Sequence, residues 1–326
     1  MSDGSQPAQQ QPIQPQPAQQ WTAEVQVSQQ LATDLIAEQF PLLAKQRVEL
    51  LATGWDNNAF TVGSQWLFRF PRRDVAIPGV RREIMLLPRL ALALPLPIPN
   101  PGFVGRPSAA YRWPFFGAPL LHGTELAEAD LSATELTRTG TDVGRFLHAL
   151  HDPALVRLAG GTELPIDPMG RGNPQIRAQR SREVLDRLVA RGNWQPDPEV
   201  FAFLARASAA PAPADDAGSL VLNHGDLHVR HLLVAASGAV TGVIDWGDLC
   251  LASPAVDLSI AYFGFAGSAR ASLLTAYARP VPAPVELAAR TLAISLAASL
   301  LEYAADDGRG TLLAQCQAGL RRAISD

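Results

Sequence analysis

Lysine is almost missing from this chain of 326 residues: of its 27 basic residues, only Lys45 is not arginine. Basic excess is missing too, because 31 Asp and Glu leave a formal net charge of −4. A general nucleic-acid binder needs surplus positive charge to release phosphate counterions, so no nucleic-acid partner is expected. The lysine scarcity accompanies abundant Ala, Arg and Pro and reads as compositional bias. Its mechanical consequence is that a phosphate contact ordinarily made by lysine falls to arginine. Two cysteines, Cys250 and Cys316, cannot build a disulfide framework and fit a reducing cytoplasm. No basic start followed by an apolar run marks a secretory leader. The longest apolar stretch, 285–305, is interrupted by Glu286, Arg290 and Glu302, so it reads as a buried helix and no membrane partner is expected.

What the chain does have is 47% apolar residues, ample for a core, at a length that suits one large domain or two modest ones. Residues 1–20 hold eight Gln and four Pro and cannot bury enough apolar surface to offset ordering, so a disordered tail is expected there. Ser28 is placed to cap a helix over 28–43, with Leu31, Leu35, Ile36 and Phe40 on one face. Short β-like runs follow at 47–52, 59–62 and 65–70, then a helix at 80–92. Pro95, Pro97, Pro99 and Pro101 break regular structure, and another strand is expected at 109–113. Helices are expected at 132–150, 174–191, 197–209, 254–265, 268–278, 283–305 and 310–323. A β island at 220–222, 232–235 and 240–244 interrupts them. The expected organisation is an α+β, two-lobed fold. It comprises a small β-rich lobe (21–113), a connector at 114–119 and a larger helical lobe (120–326).

Three of the six histidines, His224, His228 and His231, fall within eight residues beside Asp226. An apolar strand leads in and another leads out, which makes this a loop held between two β segments. Asp245 ends the run Val243-Ile244-Asp245-Trp246, again at a strand terminus. Polar side chains at strand ends on a rigid scaffold commonly build a site. Two acidic groups and a ligand-capable residue there suit a divalent metal and a proton acceptor.

The run His224-Gly225-Asp226-Leu227-His228, then Gly242 to Asp248, then Pro254 and Asp257-Leu258, resembles the aminoglycoside phosphotransferase family, which has the protein-kinase-like fold. The resemblance runs over most of the chain from about residue 22. It includes Gly54-Trp55-Asp56-Asn57, Phe68-Arg69-Phe70, Arg82-Glu83 and the segment 144–151. It implies transfer of the γ-phosphoryl group of ATP or GTP, with Mg²⁺, to a hydroxyl of a small molecule: an aminoglycoside, a macrolide or a related metabolite. By this resemblance Asp226 is the catalytic aspartate and Asp245 the metal-holding one. His224 and Asp257 support the loop. Chemistry of this kind is mostly positioning and charge neutralisation.

Two departures stand out. Five residues after Asp226 most of the family carries Asn as a second metal ligand, whereas this chain has His231. Hard Mg²⁺ prefers oxygen, so His231 leaves the metal preference open. The macrolide-phosphotransferase branch, as the resemblance goes, tolerates His there. The strand that normally presents a phosphate-binding lysine reads Trp66-Leu67-Phe68-Arg69-Phe70. Alternation puts Leu67 and Arg69 on the face opposite the aromatics, so Arg69 is placed to contact phosphates, with Glu83 as its partner. The turn 54–58, which begins at Gly54, is the candidate phosphate cover, with Asn57 and Asn58 offering side-chain or backbone donors to phosphate oxygens. The segment 111–116 is the candidate hinge for the nucleotide base.

Two rival classes share parts of this pattern. A metallohydrolase would need further ligands over several loops, and His122, His148 and His151 sit in contexts without such motifs. A catalytically weak nucleotide-binding or regulatory protein draws support from Arg69 and His231, and intact Asp226 and Asp245 oppose it. Asp248, Glu302, Asp306 and Asp307 are candidates to bind a cationic acceptor.

Overall fold

The computed structural model describes residues 23–159, 164–211 and 220–325; the expected disordered tail, 1–20, lies outside the described residues. Ser28 caps α1 (Gln29–Gln39) by accepting the amide of Leu31 at 3.1 Å. The helix ends before 43 because Pro41 has no N–H to continue the ladder, and a 3₁₀ turn covers Pro41–Leu43 instead.

Strands β1 (Val48–Thr53), β2 (Asn57–Val62), β3 (Trp66–Pro71), β4 (Phe103–Gly105) and β5 (Phe115–Pro119) form one antiparallel sheet in the order β1-β2-β3-β5-β4. The alternation in β3 is as expected. Phe68 and Phe70 are buried with Phe60, Phe115 and the Leu35 and Ile36 side chains of α1, while Arg69 lies on the other face. Phe70 and Phe115 stack with ring centroids 4.4 Å apart, a contact that adds to the burial of both rings.

One expectation is overturned here. Residues 109–113 are irregular, and the strand lies at Phe115–Pro119, within the segment expected to connect the lobes. The register pairs Gly117 with Phe68, where a Cβ would stand 2.4 Å from the Phe68 ring, so the ladder fits only at the glycine. Tyr111 and Trp113 are held by their polar tips instead: the Tyr111 hydroxyl donates to Pro71 O at 2.6 Å and the Trp113 indole to Asp74 at 2.7 Å. After β5 the chain runs through 120–123 to β6 (Thr124–Glu125), which pairs with a strand at 232–234.

Helix α2 (Ile77–Leu90) starts ahead of the expected 80 because Pro78 is tolerated in a first turn, and it carries Glu83. The large lobe contains α3 (Ala133–Leu150), α4 (Pro153–Leu158), α5 (Pro174–Ala190), α6 (Pro198–Ser208), α7 (Ala255–Phe263), α8 (Gly267–Tyr277), α9 (Ala283–Asp306) and α10 (Gly310–Ile324). By length and composition α9 could cross a membrane, yet it packs into the core of this lobe through Leu292, Ile294 and Leu301. The β island is two pieces. Strand β7 (Val221–Asn223) pairs with β10 (Cys250–Ala252), while β8 (Leu232–Val234) joins β6 and β9 (Val240–Val243). The loop after β7 and the loop after β9 meet where His224 Nε2 lies 2.9 Å from Ile244 O, and the second reaches the small lobe where Asp245 meets Arg69 at 2.8 Å.

Candidate active site

Asp226 sits in the loop 224–231 between β7 and β8. Gly225 has φ of 91°, and a Cβ there would meet Asp248 O at 2.2 Å, so this position needs glycine. Buried Asp257, near the start of α7, accepts the amides of His224 at 2.6 Å and Gly225 at 3.0 Å through its two oxygens. The His224 ring spans the two loops: Nε2 donates to Ile244 O at 2.9 Å, and Nδ1 accepts the Asp226 amide at 3.2 Å. Burial lowers the pKa of His224. Its neutral ring, with both nitrogens committed, ties the loops together and has no proton to exchange with a ligand.

The Asp226 carboxylate lies 3.0 Å from Arg171 Nη2, 3.7 Å from His228 Nε2 and 3.8 Å from His231 Nδ1. Burial works to raise its pKa, but Arg171, then His228 and His231, outweigh it and hold the carboxyl below the usual range. Asp245 follows β9 with φ of 68°, a left-handed conformation that a non-glycine residue adopts only where its surroundings enforce it. Its Oδ1 accepts from Arg69 Nη2 at 2.8 Å. Burial opposes its ionisation, and Arg69 followed by His231 overcomes this, holding Asp245 down to about 2.

From the small lobe, Arg69 Nη1 reaches Glu83 Oε1 at 2.6 Å. Burial pushes Glu83 up to about 7 against the pull of Arg69, with Asp245 adding to the rise. Helix α2 is seated close against the loop after Asp245. A Cβ on Gly79 would be 2.6 Å from Gly247 O, and Arg82 donates to the same carbonyl at 3.1 Å.

His231 donates from Nδ1 to the Asp226 carbonyl at 2.8 Å, which leaves the lone pair on Nε2, 3.5 Å from Asp245 Oδ2. That separation approaches the ~3 Å between adjacent ligands of an octahedral ion with bonds of ~2.1 Å. Asp226, His228 and His231 also bring ligand atoms within 4.8 Å of one another. The mixed carboxylate and imidazole set accommodates Mg²⁺ and suits Mn²⁺ or another borderline divalent ion better.

The turn 54–58 is only partly as expected. The Gly54 amide is spent on Asn57 O at 2.9 Å, and Gly54 O accepts from Arg72 at 2.7 Å. Asn58 pairs with Phe70 in the sheet and so lies on the core face; its amide donates to Val27 O at 2.9 Å and is not available to phosphate. Asn57, one residue earlier, falls on the Arg69 face and has a buried Oδ1 without a hydrogen-bond partner among the described residues. Asp56 pairs with Arg73 at 2.9 Å, and burial, reinforced by Asp248 and Asp245, raises its pKa against the pull of Arg73.

Arg171 was not anticipated from the sequence. It stands in the loop before α5 and donates from Nη1 to Gly225 O and to Asp248, each at 2.6 Å, while Nη2 faces Asp226. Its one signal in the sequence is a lone arginine between Gly170 and Gly172.

The profile of the phosphotransferase enzyme family matches residues 47–289. Among solved structures, APH(2'')-IIIa in complex with GDP and kanamycin superposes with a TM-score of 0.64 at 20% identity, covering 90% of this chain and 97% of that one. Macrolide 2'-phosphotransferase MphH from Brachybacterium faecium gives a TM-score of 0.53 at 24% identity, over 90% and 97% of the two chains. APH(2'')-IIa in a ternary complex with streptomycin and ATP gives 0.52 at 18%, over 91% and 97%. The uncharacterized protein YcbJ of Bacillus subtilis (strain 168) is 41% identical over 66 residues, which is 19% of this chain and about a fifth (22%) of that protein.

Proposed function

Because the chain belongs to the phosphotransferase enzyme family, we propose that it is a small-molecule kinase, moving the γ-phosphoryl group of ATP or GTP to a hydroxyl of a small organic acceptor. The observation that carries this reading is the approach of Asp226 and Asp245 to the two ring nitrogens of His231, at 3.8 and 3.5 Å, with the Arg69–Glu83 pair joined to Asp245 at 2.8 Å. Asp226 accepts a hydrogen bond from the acceptor hydroxyl and takes its proton late. The bond from the γ-phosphorus to the bridging oxygen breaks, a bond to the acceptor oxygen forms, and the nucleoside diphosphate leaves. Arg69 supplies its guanidinium to the nucleotide phosphates and is held in place by Glu83. The turn 54–57 covers the phosphates, with the Asn57 side chain turned toward them. Asp245 Oδ2 and His231 Nε2 are the residues that would hold Mg²⁺. A bound divalent ion supplies neutralisation of phosphate charge. His224 and Asp257 keep the loop in register.

A weakly catalytic, nucleotide-binding role is the second reading, favoured by one observation: Arg171 already occupies the Asp226 carboxylate. Nucleotide consumption by the purified protein, against a panel of antibiotics, amino alcohols and hydroxylated metabolites, separates the two. The kinase reading expects acceptor-stimulated turnover that falls about 10²-fold or more in Asp226→Asn, the loss typical of a removed general base. Nucleotide binding with no stimulated turnover, and an Asp226→Asn protein equal to wild type, would establish the second reading instead.

A further inference from the structure

Arg171 joins two loops of the site to its own. Nη1 donates to Gly225 O and to Asp248 Oδ2, each at 2.6 Å, and Nη2 pairs with Asp226 Oδ1 at 3.0 Å. Only 15% of its side chain is exposed, and two carboxylates match its charge. Its action is therefore on groups of the protein. Its backbone is referenced to the same sheet from which the Asp226 loop departs. Segment 165–167 runs along β10: Leu251 donates its amide to Pro165 O at 2.9 Å, and Asp167 donates its amide to Leu251 O at 2.8 Å. Strand β10 in turn pairs with β7. Asp167 has φ of 35°, a left-handed conformation that the surrounding structure must enforce. Its carboxylate accepts the amides of Arg171 at 2.6 Å and Gly172 at 2.8 Å. The guanidinium thus reaches Asp226 on a fixed arm.

The two oxygens of Asp226 are unequal. Oδ1 is held by Arg171. Oδ2 lies 3.7 Å from His228 Nε2 and 3.8 Å from His231 Nδ1, both beyond hydrogen-bond distance, and His231 Nδ1 is already spent on the Asp226 carbonyl at 2.8 Å. The torsion that turns an aspartate carboxyl is soft, with no sharp staggered wells of its own. Among the described residues, Arg171 is the one group close enough to fix it.

Resting on the kinase reading, we propose that Arg171 is a positioning residue that acts through Asp226, holding Oδ1 so that Oδ2 is the oxygen that meets the acceptor hydroxyl. The hydroxyl proton passes to Oδ2, the acceptor oxygen bonds to the γ-phosphorus, and the nucleoside diphosphate leaves. Arg171 stays on Oδ1 throughout. Asp248 and Gly225 O anchor the other end of the fork, so the guanidinium cannot swing with the carboxyl. The ion pair on Asp226 is then compatible with catalysis, because it takes one oxygen and leaves the other.

The test is a double-mutant cycle between Arg171 and Asp226 in purified full-length protein. Turnover of ATP and of GTP is measured with Mg²⁺ or Mn²⁺, first with water alone as acceptor and then with kanamycin, erythromycin and choline. Arg171→Met should lower kcat about 10- to 10²-fold, as misplacing a reacting group does, while the nucleotide KM stays within about threefold. In the Asp226→Asn background the same substitution should change kcat less than about threefold, because the group it positions is gone. Arg171→Lys keeps the charge without the fork and should recover part of kcat. Asp248→Asn removes one anchor of the fork and carries the same cycle if Arg171→Met does not fold. Equal losses in both backgrounds would mark a merely structural role and overturn the proposal. A raised nucleotide KM at unchanged kcat, or an unchanged kcat, would overturn it too. Failure here is distinguishable from failure of the kinase reading. Turnover that still depends on Asp226 leaves that reading standing, and turnover equal in wild type and Asp226→Asn removes both.

Discussion

The Arg69 guanidinium joins Glu83 of α2, at 2.6 Å, to Asp245 of the loop after β9, at 2.8 Å, so one side chain of the small lobe ties helix and large lobe together. Glu83 is fully buried and only 12% of the Arg69 side chain is exposed, so this is a buried pair and not surface decoration. Removing one member of such a pair leaves an uncompensated buried charge.

Arg69→Ala should therefore lower both stability and nucleotide use. A stability loss of about 3 kcal/mol is expected from breaking a buried ion pair on one side, read as a fall in the denaturation midpoint. Nucleotide kcat/KM should fall about 10²-fold or more, as when one preorganised charge donor is removed. Arg69→Lys keeps the charge but has no planar fork to serve two carboxylates, so it should fall between the two. Near-normal nucleotide kinetics in Arg69→Ala would remove Arg69 from the phosphate site.

Glu83 gives a pH signature. Its pKa rises from 4.5 to about 7 in the folded protein, chiefly through burial. Between those values the folded chain keeps a proton that the unfolded chain releases, so the contribution of Glu83 to stability is lost as pH rises from about 4.5 to 7. Glu83→Gln cannot titrate. Its melting temperature relative to wild type should climb across that window by a few degrees. Parallel curves for the two proteins from pH 4.5 to 7 would contradict a raised Glu83.

His231 should set metal preference. With Nδ1 donating to the Asp226 carbonyl, Nε2 faces Asp245 as a borderline ligand. His231→Asn offers a hard oxygen instead, so activation should move from Mn²⁺ toward Mg²⁺, with the ratio of activation constants changing about tenfold. A metal titration of nucleotide turnover checks this, and an unchanged ratio would show that His231 is no ligand.

Much of this arrangement was legible in the chain because it rests on local rules. Alternation in β3 placed Arg69 opposite Phe68 and Phe70, and spacing placed Asp226 and Asp245 at strand ends. The misplaced strand at 109–113 reflects aromatic side chains that look β-forming but are held by their polar tips, while the ladder goes to 115–119 through a glycine. Asn58 falls outside the expected strand at 59–62, whereas β2 begins at Asn57 and alternation then puts Asn58 on the core face with Phe60 and Val62. Arg171 lies 55 residues before Asp226 and meets it only through tertiary packing, so no local pattern marks it.

Gly225 and Gly247 make a matched pair of probes for the loop geometry. Alanine at 225 meets two penalties, a φ of 91° and a Cβ 2.2 Å from the Asp248 carbonyl oxygen. Neither neighbour can yield cheaply: Asp257 holds the Gly225 amide, and Asp248 is tied to Arg171. Strain of this kind costs about 1–3 kcal/mol where the fold keeps the conformation. Any relaxation moves the Asp226 amide off His224. Gly225→Ala should therefore lose stability and most phosphotransfer together. At Gly247 a Cβ meets no atom within 4 Å, so Gly247→Ala should leave the melting temperature within about 2 °C, as for an unstrained surface change. Melting curves and nucleotide turnover for the two variants decide the matter. Equal tolerance at both positions would mean that the Asp226 loop is not held by the close approach of Gly225 to Asp248.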